Sequence, residues 1–223
     1  MKFDRTKFFD SIRKSLFPKG LTQQQVDGMS FKLAAYEANP LSTDLRHLAY
    51  PFATSYHETA KTMWPIEEIG KGNGKKYGVK DKETGQIYYG RGDVQLTWRE
   101  NYRNASKELD LTGGTDDLEW HAERALDPTI SANVMYHGME GGWFTGKALD
   151  DFFNATKNDP VGARIIINND VKTMGAKIAK YHEKFLMALQ SSEIATGLIT
   201  IVYRVLVTVP DGTPVAVKVE RET

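Results

Sequence analysis

Cysteine is absent from this chain of 223 residues, which excludes disulfides, thiolate metal sites and a cysteine nucleophile. Net charge is absent too. Lys+Arg and Asp+Glu stand at 29 each, without the basic excess of a strong nucleic-acid binder. Long apolar runs are missing. The most apolar stretch, Ile199 to Val209, contains Arg204 and is too short to span a bilayer as a helix, so no stable membrane insertion is expected. Met1 to Phe17 alternates Lys, Arg and Asp with Phe and lacks the continuous apolar core of a signal peptide. There is no internal repeat or low-complexity tract.

What remains is ordinary globular usage, 40% hydrophobic and 26% charged, enough for one good-sized core or one domain with a small appendage. Most of it reads as helix. Phe8, Phe9, Ile12 and Leu16 recur at helical spacing. Thr22 with Gln25 forms a capping box ahead of Val26, Met29, Leu33 and Tyr36. Ser42 to Asp44 offer caps for a helix through Leu45, Leu48, Phe52 and Tyr56, with Glu58 near its end and Pro51 bending it or moving its start. Residues 65–93 read as a long functional loop rich in Gly, Lys and Glu. Thr97 with Glu100 suggests a second capping box, and Asp127-Pro128 and Asp159-Pro160 each place an N-cap before a proline at the first helical position. A last helix runs through Val171, Met174, Ile178, Tyr181, Phe185 and Leu189. Composition then shifts to Val- and Ile-rich segments around Pro210-Asp211-Gly212-Thr213, the pattern of a β-hairpin. This divides the chain into a helical domain, 1–190, and a hairpin appendage, 191–223, of unassigned role.

Three short motifs are weak. His57-Glu58 begins a zinc-protease helix motif, but the position for the second histidine is Lys61, and His47, His121, His137 and His182 are scattered. Gly70 to Lys76 lacks phosphate-loop spacing and reads as a flexible loop. Arg91-Gly92-Asp93 is a tripeptide that recurs by chance. The carboxylates carry more. Glu58 is the only acid from Ala49 to Ala60, and Tyr56, Met63 and Trp64 could desolvate it as a general acid requires. Glu67, Glu68 and Glu83 lie in the following loop as candidates for a second carboxylate, the pair that glycoside hydrolysis uses. On pattern alone, each is as well explained as a solvated surface acid. Thr97 reads equally as a helix cap or a cleft hydroxyl, and Gln95 and Asn101 as sugar-binding amides or polar surface.

Ser55-Tyr-His-Glu-Thr59 resembles the Ser-His-Glu-Thr signature of glycoside hydrolase family 19, the plant and bacterial chitinases. Tyr88 to Tyr102 resembles that family's Tyr-Tyr-Gly-Arg-Gly signature, and Ala163 to Asn168 its Arg-Ile-Ile-Asn segment. The three occur in the family's order over roughly residues 45–190. Gly142-Trp143-Phe144-Thr145-Gly146 is similar to bacteriophage and prophage endolysins of the family. The chain departs from the pattern at Asp93, where proline is usual, and at Asn169-Asp170, where two glycines are usual.

The resemblance implies a mainly α-helical, lysozyme-like, two-lobed fold without metal or cofactor. It implies Glu58 as general acid and a second carboxylate acting on water from the opposite face. Glu68 is favoured for that role, Glu67 next and Glu83 third, with Thr97 assisting. His57, Tyr88, Tyr89, Gln95, Asn101 and Asn168 are the expected sugar contacts. The leading functional expectation is an inverting endolysin cutting peptidoglycan β-1,4 bonds, made in a host bacterial cytoplasm and reaching the wall through a holin pore or by lysis. The rivals are a chitinase on the same fold and a non-catalytic wall-binding or phage structural protein.

Overall fold

The computed structural model describes residues 1–194, together with the strand backbones of 203–208 and 214–219. Six α-helices form the described body: α1 (Arg5–Ser15), α2 (Gln23–Ala38), α3 (Leu45–Glu58), α4 (Arg99–Glu108), α5 (Pro128–Glu140) and α6 (Ala176–Ser192). Two two-residue strands, β1 (Ile66–Glu67) and β2 (Arg91–Gly92), clip the ends of the long loop together in antiparallel register, Ile66 opposite Gly92 and Glu67 opposite Arg91. The C-terminal segments β3 (Tyr203–Thr208) and β4 (Pro214–Val219) pair antiparallel from Tyr203 opposite Val219 to Thr208 opposite Pro214. The turn expected at 210–213 lies outside the described residues.

Helix ends follow local chemistry where a small polar side chain can reach a free amide. Asp4 accepts from Lys7 N–H, and Thr22 and Gln25 close both halves of the capping box. Asp44 accepts from Arg46 N–H, and Asp127 accepts from Thr129 and Ile130 ahead of Pro128. Pro51 neither moves the start of α3 nor breaks it. The helix runs from Leu45 to Glu58, and burial of nearly every residue around Pro51 offsets the lost backbone bond.

Two expected helices differ. Thr97 does not cap α4. Its hydroxyl donates to the Gln95 carbonyl at 2.7 Å, and the N-cap position falls to Trp98 with φ of 75°. Asp159 accepts from Gly162 N–H at 2.8 Å as a cap would, but the N-cap position falls to Val161, and Gly162–Ile166 winds as a 3₁₀ stretch rather than an α-helix. The last helix begins in a π-helical stretch, Val171–Gly175, before α6 proper.

The core is one cluster. Helix α3 packs along α6, α6 along α1 and α2 along α5, with Phe52 meeting Phe8 edge-on and Phe185 at a tilt. The N-terminus closes onto the end of α6 through Asp4 N–H to Ser192 carbonyl at 2.7 Å and Ile194 N–H to Lys2 carbonyl at 2.8 Å. No helix among the described residues is long and apolar enough to cross a membrane.

Candidate active site

The segment Ser55 to Thr59 ends α3, and helical periodicity assigns its residues to different faces. Ser55 and Thr59, four apart, both point into the core and are fully buried. Thr59 Oγ1 donates to the Ser55 carbonyl at 2.7 Å and accepts from Met63 N–H at 3.1 Å, anchoring the helix end. Tyr56 enters the core, donating its hydroxyl to the Leu16 carbonyl. Glu58 is left facing a cleft of about 460 Å³.

That cleft brings together Glu58, Glu68, Gln95, Thr97, Asn101 and Asn168. Glu68 is held by its surroundings: one oxygen accepts from the Tyr77 hydroxyl at 2.8 Å, the other from Gly90 N–H at 3.1 Å. Space at Gly90 is tight: a Cβ would stand 2.9 Å from Gln95 Oε1 and 3.4 Å from Glu68 Cβ, so a larger residue would push the Gln95 amide aside. Gln95 has φ of 54° and donates its amide to the Ile66 and Gly92 carbonyls, both at 3.1 Å, tying the cleft floor to the β1–β2 clip. Asn101 donates to the Thr97 carbonyl at 2.8 Å. Left-handed backbone at two non-glycine residues, Gln95 and Trp98, is strain of about 1 kcal/mol or more each, and it sits at the cleft wall.

Five expected site residues lie outside the cleft. His57 faces away from Glu58 into a separate hollow with Lys61, Lys177 and Tyr181, because adjacent helical residues diverge by about 100°. Tyr88 is buried, its hydroxyl bonded to Thr84 and to the Glu119 carbonyl. Tyr89 is buried under Arg91, whose guanidinium carbon lies 3.6 Å from the ring centroid, and its hydroxyl donates to Glu67. Glu67 is outside the cleft, paired with Lys71 at 2.8 Å, and Lys71 and the Tyr89 hydroxyl hold its carboxyl below the usual range. Glu83, the third candidate, pairs with Arg99 at 2.7 Å, away from Glu58.

The expected apolar sheath of Glu58 is also absent. Met63 is buried in the core and Trp64 packs on Phe31. What touches Glu58 is Arg164, Nη1 to Oε1 at 2.7 Å. Arg164 is itself buried and bonds Asp170 with Nε at 2.6 Å and Nη2 at 3.2 Å. This pairing holds the Asp170 carboxyl below its ordinary range. The arginine therefore keeps a carboxylate partner when Glu58 carries a proton. Arg164 and Tyr77, which hold Glu58 and Glu68, are side chains to which the sequence reading assigned no role. The available signals were the place of Arg164 in the Arg-Ile-Ile-Asn segment and a lone aromatic in a Gly/Lys loop. Phe144 also lines the cleft, seated against Gly138 and held by Thr145 Oγ1 donating to the Ile166 carbonyl at 3.1 Å.

The departure at Asp93 has a structural counterpart. Asp93 is fully buried and pairs with Lys32 Nζ at 2.7 Å, and Lys32 also donates to the Met63 carbonyl at 2.8 Å. Ser55 and Ser131 hydroxyls each donate to Asp93 at 2.7 Å. A charge pair beneath the cleft thus links α2, α3, α5 and the β2 turn. Among the described residues no group of three or more His, Asp or Glu is placed to hold a metal ion.

A helical body whose cleft wall carries two carboxylates among amides offers the paired acids that glycoside hydrolysis uses. No family profile matches the chain. Chitinase 5 of Oryza sativa subsp. japonica is 31% identical over 144 residues, covering 55% of this chain and 47% of that protein. Chitinase C from Streptomyces griseus HUT6037 superposes with a TM-score of 0.59 at 18% identity, over 86% of this chain and 79% of that one. A family GH19, class IV chitinase from Zea mays superposes with a TM-score of 0.51 at 19% identity, over 82% and 90%. The chain has the fold of the family 19 chitinases. It spans less than half the length of the curated relatives it matches.

Proposed function

We propose that the protein hydrolyses β-1,4 bonds in N-acetylglucosamine-containing glycans, with chitin chains as the substrate its relatives favour. The observation that carries this reading is Glu58 and Glu68 lining one cleft with Gln95, Asn101 and Asn168. Glu58 donates its proton to the glycosidic oxygen as the bond to the anomeric carbon breaks. Glu68 takes a proton from a water attacking that carbon from the opposite face, giving inversion. Each carboxyl ends in the other's starting state, and exchange with solvent resets both. Arg164, held by Asp170, orients Glu58, and Tyr77 orients Glu68. Thr97 lines the cleft, but its hydroxyl is engaged with Gln95, so its help to the water requires that bond to turn. The amides of Gln95 and Asn101 each keep an oxygen for substrate N–H or O–H groups.

Hydrolysis of N-acetylglucosamine hexamer tests the reading. Glu58→Gln and Glu68→Gln are each expected to lower kcat by about 10² or more with the far-UV spectrum unchanged. Full activity in either variant removes that residue from the mechanism. The endolysin expectation concerns the same bond chemistry on a different glycan, and turnover of purified peptidoglycan but not of the hexamer would favour it.

A further inference from the structure

Positions 50, 54 and 58 stand on successive turns of one face of α3. Glu58 ends the row at the cleft, and the two residues beneath it, Tyr50 and Thr54, are 0% and 1% exposed. Neither hydroxyl has a hydrogen-bond partner among the described residues. A helical threonine readily turns its hydroxyl back to the carbonyl four residues earlier, as Thr59 does to Ser55 at 2.7 Å, and Thr54 does not. A third bare group, His182 Nδ1, belongs to the ring that meets the Tyr50 ring at 5.6 Å. Buried polar atoms are bonded as a rule, so bare ones gathered along one helix face point to a polar occupant.

Arg164 reaches the end of the same row. It is 2% exposed, with Nη1 on Glu58 and with Nε and Nη2 on Asp170. Those three bonds leave one N–H on each Nη without an acceptor among the described residues. Burial pushes the pKa of the Tyr50 hydroxyl up, and Arg164 is the foremost charge opposing that rise, so the guanidinium lies near the hydroxyl. An occupant between them meets two hydroxyls and a guanidinium. A cation is repelled there, an anion competes with Glu58 and Asp170 for the arginine, and an apolar group leaves every polar atom bare. Water satisfies all of them, since it accepts from N–H and donates to hydroxyl oxygens.

We infer that Tyr50 and Thr54 hold a buried water against the inner N–H groups of Arg164 and so act as positioning residues for Glu58. The water is a neutral partner. It fixes the guanidinium plane from behind without drawing charge from it, which keeps Nη1 on Glu58 Oε1 and leaves the other carboxyl oxygen for the substrate. Neither hydroxyl touches the glycan. The catalytic consequence rests on the glycosidase reading, and the water site does not.

The test uses the unmodified protein, Tyr50→Phe, Thr54→Val and the double variant. High-resolution crystals of the unmodified protein are expected to show an ordered water bonded to Arg164 and to the Tyr50 or Thr54 hydroxyl. Crystals of Tyr50→Phe are expected to show Arg164 Nη1 moved off Glu58 Oε1. Ordered side chains with no water between them overturn the site, and an unmoved Arg164 overturns the positioning role. On N-acetylglucosamine hexamer each single variant is expected to lose about tenfold in kcat with KM within about twofold. Because one water serves both hydroxyls, the double variant is expected to lose no more than the worse single one. Unchanged kcat in both single variants, or losses that multiply in the double, contradict a shared water acting on Glu58. An unmodified protein that leaves the hexamer intact defeats the glycosidase reading, and the two crystal comparisons then decide the inference by themselves.

Discussion

Glu68 keeps both carboxylate oxygens engaged in the resting cleft, with the Tyr77 hydroxyl on one and Gly90 N–H on the other, while its neighbour Glu67 turns to Tyr89 and Lys71. The two acids adjoin on extended chain, where successive side chains face opposite ways, so only one of them can enter the cleft. The sequence placed both in the right loop. It could not say which one, because the phase of a two-residue strand is set by its partner, Arg91–Gly92, and not by its own composition. The difference is measurable. Glu67→Gln is expected to leave kcat within about threefold of the parent, against the hundredfold loss at Glu68. Comparable losses at both positions would mean that the cleft is held by Glu67 as much as by Glu68. Glu58 was legible as a cleft residue because it falls in the Ser-His-Glu-Thr resemblance, whereas Arg164, 106 residues away in the Arg-Ile-Ile-Asn segment, has nothing around it in sequence to tie it to Glu58.

Helices whose capping side chains act on their nearest amides were readable from the chain. The α4 start was not, because tertiary contacts override its capping-box letters: the Trp98 amide goes to the Tyr88 carbonyl, and Thr97 is drawn to Gln95. On α6, His182 is buried between Tyr50 and Phe153, stacked on Phe153 at 5.0 Å, with Nδ1 lacking a partner among the described residues. Burial pushes its pKa down to about 4. A histidine kept neutral in the fold gives stability that is complete above the unfolded value of about 6.5 and is lost as pH falls toward 4. The change amounts to about 3 kcal/mol at most. His47 acts in the opposite direction. Burial disfavours its charge, but Glu140 at 2.9 Å outweighs that and raises its pKa, so its contribution fades as pH rises through that value. His182→Phe, which suits the aromatic site, is expected to flatten the fall in melting temperature between pH 6.5 and 4. An unchanged slope would show that other groups govern acid unfolding.

Over the whole molecule, the Lys32–Asp93 pair couples the core to the elements that line the cleft. Asp93 follows directly on the β2 turn that ties Gln95 to the cleft floor, and its carboxylate receives Ser55 from the helix that carries Glu58. Both charges are fully buried, so removing one leaves the other uncompensated, at a cost of about 3–5 kcal/mol. Asp93→Asn alone is expected to destabilise by that order, and Lys32→Met with Asp93→Asn to recover a large part of it in denaturant unfolding. Additive losses would mean that the two residues act independently. The sequence flagged Asp93 as a departure from its family's pattern, but its partner is 61 residues upstream in a helix that reads as ordinary amphipathic surface. The fold class was legible because helical periodicity and three ordered motifs agree. The choice of glycan was not, because the three motifs are shared by chitinases and endolysins of the family the chain resembles.

The central claim is that Glu58 and Glu68 act across one cleft as acid and base on opposite faces of a sugar. The direct measurement is proton NMR of the first product released from N-acetylglucosamine hexamer. The account requires the α-anomer to form first and then mutarotate, with no release by Glu58→Gln protein. Initial formation of the β-anomer, or undiminished release by that variant, would contradict it.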